Sequence, residues 1–247
     1  MKTVKKKIYA GATCDVLIYN APEQRTGGFG KPRLRFKNET ERAEHRRLIA
    51  RRHCARLINE NITSNGLYCT LTFDREHEIH TVAEARRERT NFRRRLQRKY
   101  PDAVIFLFYG RGGANTQRFH FHVICEGIPA DYIRKAWTGG EVDRIENIRE
   151  CCHDSKGNEI GADYTGLSNY CFDHWTEEQG GHYYSRTDNV RQPEEEEAEE
   201  TEEDYRTGAV PEMPAGYNLV DCTRTNYGFY LFHYVRYKPP AQMSLLI

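Results

Sequence analysis

The chain has 247 residues, of which 38% are hydrophobic, enough for one large domain or for a domain with appendages. No apolar stretch approaches the roughly 18 residues of a membrane-spanning helix, and the basic N-terminal segment lacks the apolar core and cleavage site of a signal peptide. The eight cysteines form no CxxC pair, which argues against a disulfide scaffold and favours reduced thiols in a cytosol.

The net charge of +1 conceals a strong asymmetry along the chain. Residues 1–119 hold 26 of the 37 lysines and arginines but only 12 of the 36 acidic residues. A basic segment attracts the phosphate backbone of nucleic acids, because each neutralised phosphate releases a counterion. Arginine-rich helices are also common as solvated surfaces, so charge alone leaves the two interpretations about equal.

The first half of the chain predicts an arm followed by helices and strands. Residues 1–37 contain a turn-rich segment and are predicted to form an extended N-terminal arm. A helix is predicted from Asn38 to about residue 60, since Glu41 completes a capping box with Asn38. Apolar residues then alternate with polar ones at 67–73, which predicts a strand.

A second capping box, formed by Thr81 and Glu84, predicts a helix to about Tyr100, where Pro101 ends it. The next predicted elements are strands at 103–109, 119–125 and 141–149 and helices at 131–137 and 163–178. This mixture is typical of an α+β protein with an antiparallel sheet and packed helices.

The C-terminal part of the chain opens with a charge run. Residues 194–204 are nearly all acidic and repel one another, so we expect the linker 194–216 to be disordered. Aromatic residues alternate again at 226–237, which predicts a final strand. The predicted organisation is therefore a domain at 38–193, the acidic linker, and a C-terminal segment 217–247 whose strand packs on that domain.

The segment Phe119-His-Phe-His-Val123 carries the most informative pattern. On a strand, side chains two residues apart share a face, so His120 and His122 project together. Two adjacent imidazoles are a natural partial ligand set for a divalent ion. An isolated His-x-His pair is more often inert, and its context decides between the two interpretations.

This block resembles the defining His-hydrophobic-His motif of the HUH endonucleases, and among them the rolling-circle replication initiators of phages and plasmids. Several further segments match that family in order. Three of them are LYCTLTFD at 67–74, the arginine-rich stretch 81–96 and the block 109–127. The fourth is 163–193, which contains the sequence GLSNY ending at Tyr170 and resembles the corresponding region of filamentous-phage gene II proteins. The resemblance covers roughly residues 38–193 and the terminal strand.

The resemblance implies an HUH-type antiparallel sheet of about five strands, with packed helices and a metal site on one sheet face. It implies a Mg²⁺- or Mn²⁺-dependent enzyme that nicks and rejoins single-stranded DNA through a 5′-phosphotyrosine, leaving a 3′-hydroxyl that primes replication. The implied partners are single-stranded or origin DNA and a host replication helicase or polymerase, without a membrane, in the cytoplasm of a bacterial host.

Tyr170 is the candidate nucleophile, because it occupies the tyrosine position of the GLxxY helix. Tyr164 is its main rival, and Tyr183 and Tyr184 are weaker candidates among 16 tyrosines. Related enzymes usually carry a lysine three or four residues after this tyrosine, where the present chain has Asp173 and His174. His174 is therefore a candidate for positioning the phosphate or assisting proton transfer.

The third metal ligand is less well defined by the sequence. Many relatives supply a carboxylate from the strand before the histidine motif, but residues 108–113 contain none. Asp74, at the end of the predicted strand 67–73, is the candidate ligand, although an ordinary strand-end role is equally consistent. Candidate DNA-binding residues, each also explained as a solvated surface residue, are Arg93, Arg94, Arg98, Arg111 and Arg118.

Three alternatives remain open at this point. A transposase or relaxase of the same superfamily would share the chemistry and differ in its DNA substrate. A DNA-binding protein with a degenerate catalytic site would explain the absent lysine and carboxylate. An unrelated sheet protein with chance histidines is the least supported of the three.

Overall fold

The computed structural model describes residues 2–21, 36, 38–113, 116–149, 152–153, 157, 159–174, 182–225 and 229–236. Its elements are β1 (Lys2–Ala10), β2 (Thr13–Ala21), α1 (Glu39–Asn61), β3 (Leu67–Thr72), α2 (Val82–Lys99), β4 (Val104–Gly113), β5 (Thr116–Glu126), α3 (Ala130–Ala136), β6 (Val142–Asn147), β7 (Cys152–His153), β8 (Glu159–Ile160), α4 (Thr165–Asp173), β9 (Ser185–Arg186), β10 (Glu194–Glu195), β11 (Glu199–Glu200), β12 (Tyr217–Arg224) and β13 (Tyr230–Arg236). A short 3₁₀ turn covers Tyr205–Thr207.

The chain forms two compact units, each built from segments that are separated in the sequence. The first unit contains residues 1–49, 151–163 and 193–247, and the second contains 50–150 and 164–192. The sequence predicted a domain at 38–193 with the C-terminal strand packed on it. The structure differs, because β13 pairs with β2 in the sheet of the first unit.

The second unit is built on a five-stranded sheet in the order β6-β3-β5-β4-β9, and every pairing in it is antiparallel. Four α-helices accompany the sheets within the described residues. The predicted α+β class, with an antiparallel sheet of about five strands and packed helices, is therefore confirmed. In the described part of the chain, no helix is both long and apolar enough to cross a membrane.

Strand alternation gives this sheet two different faces. One face packs against α2 and α3 in a core that contains Leu71, Leu107, Phe121 and Val123. The alternate residues form the opposite face, which we call the histidine face; it is defined by Tyr68, Thr70, His120, His122 and Arg144. Because paired residues of neighbouring strands share a face, the strand register alone assigns each of these residues to the histidine face.

The helix α2 forms where its capping signals predict it. Thr81 accepts a hydrogen bond from the Glu84 amide, and the Glu84 carboxylate accepts one from the Thr81 amide. Its buried residues Ala85, Phe92 and Leu96 are separated by seven and four positions and so form one apolar stripe. That stripe packs into the core opposite the histidine face.

The sheet of the first unit has the strand order β10-β1-β2-β13-β12, with β11 also pairing with β1. The N-terminal arm predicted from the sequence is thus a β-hairpin whose nine-residue strands pair over their whole length. Val4 and Ile8 of β1 are buried, but the intervening lysines conceal this alternation in the sequence. The turn-rich residues 22–35, on which the prediction of an arm depended, lie outside the described residues.

The acidic run also differs from the prediction of a disordered linker. Its glutamates form two short strands along β1, where Lys2 pairs with Glu200, Lys5 with Glu199, Lys6 with Glu195 and Lys7 with Glu196. The lysines of β1 supply the opposite charge that the run lacks by itself. The self-repulsion on which the prediction rested is thereby offset.

A buried imidazole joins three segments of the first unit. His233 on β13 contacts Asp15 Oδ1 of β2 through Nδ1 at 2.6 Å and Asp163 Oδ2 through Nε2 at 3.1 Å. Burial alone would lower the pKa of His233, but the hydrogen bonds and charges of the two carboxylates outweigh it and raise the pKa to about 9. The ring is therefore an imidazolium at neutral pH.

This pair of contacts predicts a pH-dependent stability. Because the folded pKa lies above the unfolded value of about 6.5, the stabilisation is complete below pH 6.5 and is lost as pH rises through 9. We expect urea unfolding to show a loss on the order of 3 kcal/mol between these pH values. His233→Gln should unfold more easily at pH 6.5 and lose this dependence, and an unchanged dependence would contradict the assignment.

Candidate metal centre

The strand β5 places the two motif histidines on the histidine face, as the sequence predicted. His122 lies between Thr70 on β3 and Phe108 on β4, and His120 lies between Thr72 and Gly110. His122 is only 2% exposed, whereas His120 is partly exposed. The two rings therefore lie side by side on the sheet, with His120 more exposed to solvent.

A third imidazole reaches this pair from the end of α4. His174 directly follows that helix, and its ring centroid lies 4.6 Å from that of His122 and 5.3 Å from that of His120. Gly110 permits this approach, since a Cβ built there would lie 2.7 Å from His174 Cβ and 3.2 Å from His120 Cε1. A glycine opposite His120 is thus a requirement of the site.

The ring nitrogens are spaced as ligands of one ion. His120 Nε2 and His122 Nε2 are 3.1 Å apart, and the donor atoms of all three histidines lie within 4.8 Å of one another. Two ligand nitrogens about 2.1 Å from an ion are about 3.0 Å apart at a right angle and about 3.4 Å apart in a tetrahedron. The three rings are therefore close enough together to be ligands of one cation.

The outward nitrogen of each ring is held by a hydrogen bond, which leaves the inward nitrogen available. His174 Nδ1 donates to the carbonyl of Tyr170 at 2.7 Å, and the His120 ring donates to the backbone carbonyl of Arg118. His122 Nδ1 lies 2.9 Å from the Tyr68 hydroxyl. Such outer contacts fix the orientation of metal-binding histidines in proteins.

The electrostatics favour the neutral form of the two sheet histidines. Burial, followed by the neighbouring imidazoles, lowers the pKa of His122 to about 3. The pKa of His120 is lowered first by burial and then by His174. Because only the neutral imidazole has a lone pair for a metal, both rings are ready to bind one at neutral pH. The cluster can therefore hold a divalent ion.

Tyr170 borders this cluster. Its side chain is 53% exposed, and its ring centroid lies 4.6 Å from that of His174 and 5.3 Å from that of His122. Burial raises the pKa of Tyr68, and the hydroxyl of Tyr170 adds to that shift as a hydrogen-bonding neighbour. The Tyr170 hydroxyl is therefore close to the Tyr68 hydroxyl, which itself contacts His122.

The other candidate tyrosines lie elsewhere in the second unit. Tyr164 precedes α4 and is only 4% exposed, with its amide bonded to Asn59. Tyr183 stacks on Phe172 with ring centroids 4.6 Å apart, and Tyr184 packs against Phe106 and Phe108 of β4. Among these four tyrosines, only Tyr170 has a ring contact with the histidine cluster within the described part of the chain.

The structure corrects the predicted third ligand. Asp74 Oδ1 accepts hydrogen bonds from His77 Nδ1 at 2.8 Å and from the amides of Glu76 and His77, so it closes a turn. Among the described residues, the groups placed to hold a metal together are His120, His122 and His174. His174, which the sequence suggested for phosphate positioning or proton transfer, thus lies at the ligand position left unassigned.

The predicted DNA-binding arginines do not form one surface. Arg93, Arg94 and Arg98 belong to α2, which packs on the sheet face opposite the histidines, and Arg93 donates to Ser185 Oγ and the Arg186 carbonyl. Arg118 does share the histidine face by strand alternation, and it contacts Glu78 and the Phe73 carbonyl. The side chain of Arg111 lies outside the described residues.

Gly110 offers a direct test of the third ligand. In Gly110→Ala, the new methyl group would displace His174, and we expect the affinity for Mn²⁺ to fall about 10- to 100-fold, as when an outer contact of a metal ligand is lost. Gly166→Ala on α4, the helix that His174 follows, is the control, since a Cβ there meets nothing within 4 Å. Equal Mn²⁺ affinities of the two variants by titration calorimetry would contradict a role for His174.

Comparison with models of known protein families finds no match for this chain, and comparisons with curated proteins and with solved structures find none either. The likeness to HUH endonucleases consequently rests on the sequence motifs. The candidate metal centre is defined by the geometry of His120, His122 and His174, with Tyr170 beside them.

Proposed function

We propose that this protein is a metal-dependent endonuclease of the HUH type, which nicks and rejoins single-stranded DNA through Tyr170. One observation carries the proposal: three imidazoles with restrained outer nitrogens converge beside an exposed tyrosine. The ordered sequence motifs extend the proposal to the initiation of rolling-circle replication.

The residues present account for the chemistry of such a reaction. A bound Mg²⁺ or Mn²⁺ would supply Lewis acidity toward a phosphate oxygen and offset the charge that develops there. Tyr170 is exposed, so a DNA strand can reach its hydroxyl beside the three histidines. The rings of His120, His122 and His174 hold their geometry through contacts with the backbone and with Tyr68, which supports a site organised before substrate binds.

The proposed reaction transfers the DNA phosphate from a 3′ oxygen to Tyr170. The Tyr170 oxygen forms a bond to phosphorus as the bond from phosphorus to the 3′ oxygen breaks, and the phenol proton passes to that leaving oxygen. The products are a 5′-phosphotyrosine and a DNA end with a 3′-hydroxyl. Because one phosphodiester replaces another, the free 3′-hydroxyl can attack the phosphotyrosine and rejoin the strand.

The test is a search for the covalent intermediate. The protein is incubated with Mn²⁺ and a pool of randomised single-stranded oligonucleotides labelled at the 3′ end, because the protein joins the fragment downstream of the nick. We expect a labelled band at the mass of protein plus DNA on a denaturing gel, which EDTA abolishes. The same pool labelled at the 5′ end should yield released fragments that a polymerase can extend.

A second candidate function is metal-assisted DNA binding without cleavage. It is favoured by residues 165–174, which contain no lysine or arginine, and by Asp173, which is paired with Arg51 at 2.6 Å. This alternative predicts that the oligonucleotide pool binds but gives no covalent band with Mg²⁺ or Mn²⁺. A transposase or relaxase would give the band, and the selected DNA sequence would distinguish it from an initiator.

A further inference from the structure

Tyr170 has no basic residue on its own helix, but the sheet supplies one. Thr70 pairs with His122 on β5 and with Arg144 on β6, so these three residues form one row across the sheet. Residues paired in this way share a face, which places Arg144 on the same face as the histidine cluster. The row runs from the metal centre to the arginine over two strand spacings, roughly 10 Å between the backbones.

The arginine head group lies near Tyr68, which precedes Thr70 by two residues on β3 and shares its face. Arg144 Cζ lies 5.8 Å from the centre of the Tyr68 ring, and the Tyr68 hydroxyl lies 2.9 Å from His122 Nδ1. Tyr68 therefore contacts both the guanidinium and a histidine of the cluster. Arg144 thus supplies a positive charge on the sheet face that carries His122, whose ring Tyr170 also contacts.

We propose that Arg144 binds a non-bridging oxygen of the DNA phosphate attacked by Tyr170, in place of a basic residue on α4. This inference rests on the proposed function. Arginine suits the role because its planar group remains charged and presents five donors, so it can hold two partners at once.

The surroundings of Arg144 allow its guanidinium to contact a phosphate. Its Nε pairs with Glu146 at 2.7 Å, and both side chains are about half exposed, so the pair is a weak one in water. The pKa of Arg144 is raised chiefly by Glu146 and further by the charges of Tyr68 and Tyr170. Glu146 thus orients the Arg144 side chain through Nε, while the terminal Nη groups of Arg144 can contact a phosphate.

The test compares Arg144→Ala, Arg144→Lys and the control Arg149→Ala, an exposed arginine just beyond β6. Since the assigned contact is to DNA and not to the metal, Mn²⁺ affinity should be unchanged in all three variants. The rate of covalent adduct formation should fall about 100-fold in Arg144→Ala, as when one preorganised donor is lost. Arg144→Lys should recover part of the rate, because it restores the charge without the bidentate geometry.

The outcomes separate this inference from the proposed function. If the wild-type protein forms adducts and Arg144→Ala forms them within twofold of Arg149→Ala, the role of Arg144 is overturned while the function stands. If the wild-type protein forms none, the function fails, and Arg144 is judged by fluorescence anisotropy with single-stranded DNA and Mn²⁺. An affinity of Arg144→Ala equal to that of Arg149→Ala then overturns it as well.

Discussion

His122→Ala should abolish both the binding of Mn²⁺ and the formation of a covalent DNA adduct. His122 is the most buried histidine of the cluster, and its Nε2 lies 3.1 Å from that of His120. Removing this ligand should cost more than the roughly 10- to 100-fold in metal affinity that follows loss of an outer contact. Adduct formation should then fall by about 1,000-fold or more, because the charge on the phosphate is no longer offset.

Variants of the other two cluster histidines, and of one histidine outside the cluster, extend this test. His120→Ala and His174→Ala should behave similarly, with the smaller defect at His174, since that ring approaches the ion from a helix end. His182→Ala is the control, because His182 is exposed and is not among the clustered ligands. Retention of wild-type Mn²⁺ affinity in His122→Ala, with the fold verified by thermal melting, would place the metal elsewhere.

Tyr170→Phe should eliminate the covalent adduct completely while leaving metal binding intact. The substitution removes one oxygen from a side chain that is 53% exposed, so its effect on stability should stay within about 0.5 kcal/mol. His174 contacts the carbonyl of Tyr170 and not its hydroxyl, so the third imidazole should keep its position. Calorimetry with Mn²⁺ and anisotropy with single-stranded DNA should therefore match the wild-type protein.

Tyr183→Phe is the matched control for this variant, because the Tyr183 ring stacks on Phe172 and lies outside the histidine cluster. It should form the adduct at the wild-type rate. Nicking that continues in Tyr170→Phe without any adduct would identify water as the nucleophile, and an adduct that persists would assign that role to another tyrosine.

The two motif histidines and their strand could be predicted from the sequence because a strand has a fixed alternation. Phe119, Phe121 and Val123 are buried on one side, which leaves His120 and His122 together on the other. Helix α4 covers Thr165–Asp173 rather than the predicted 163–178, of which residues 175–178 lie outside the described part of the chain. The other predicted helices and strands of the second unit were found within four residues of their predicted bounds. Their apolar periodicity and the capping box at Thr81 are local signals.

The third ligand could not be predicted, since it depends on where α4 docks. His174 lies 52 residues after His122 in the chain, and only its placement over Gly110 brings it to the cluster. The nearest sequence signal was the exchange of the expected lysine for Asp173-His174. The strand-end position of Asp74 predicts a ligand, but nearby amides and His77 occupy its carboxylate.

The strands of the first unit were missed for a different physical reason. Charge runs predict disorder when they are considered alone, but Glu195 and Glu200 pair with lysines almost 200 residues earlier in the chain. Arg144 likewise carries no local sequence signal that distinguishes it from the other arginines. Its position beside Thr70 and His122 follows only from the register of three strands.

The most direct test of the central claim is to identify the residue that carries DNA. The covalent adduct is digested with nuclease and protease, and the nucleotide-bearing peptide is sequenced by mass spectrometry. We expect a 5′-linked nucleotide on Tyr170, formed only when a divalent metal is present. A nucleotide on Tyr164, Tyr183 or Tyr184, or an adduct that forms equally well in EDTA, would contradict it.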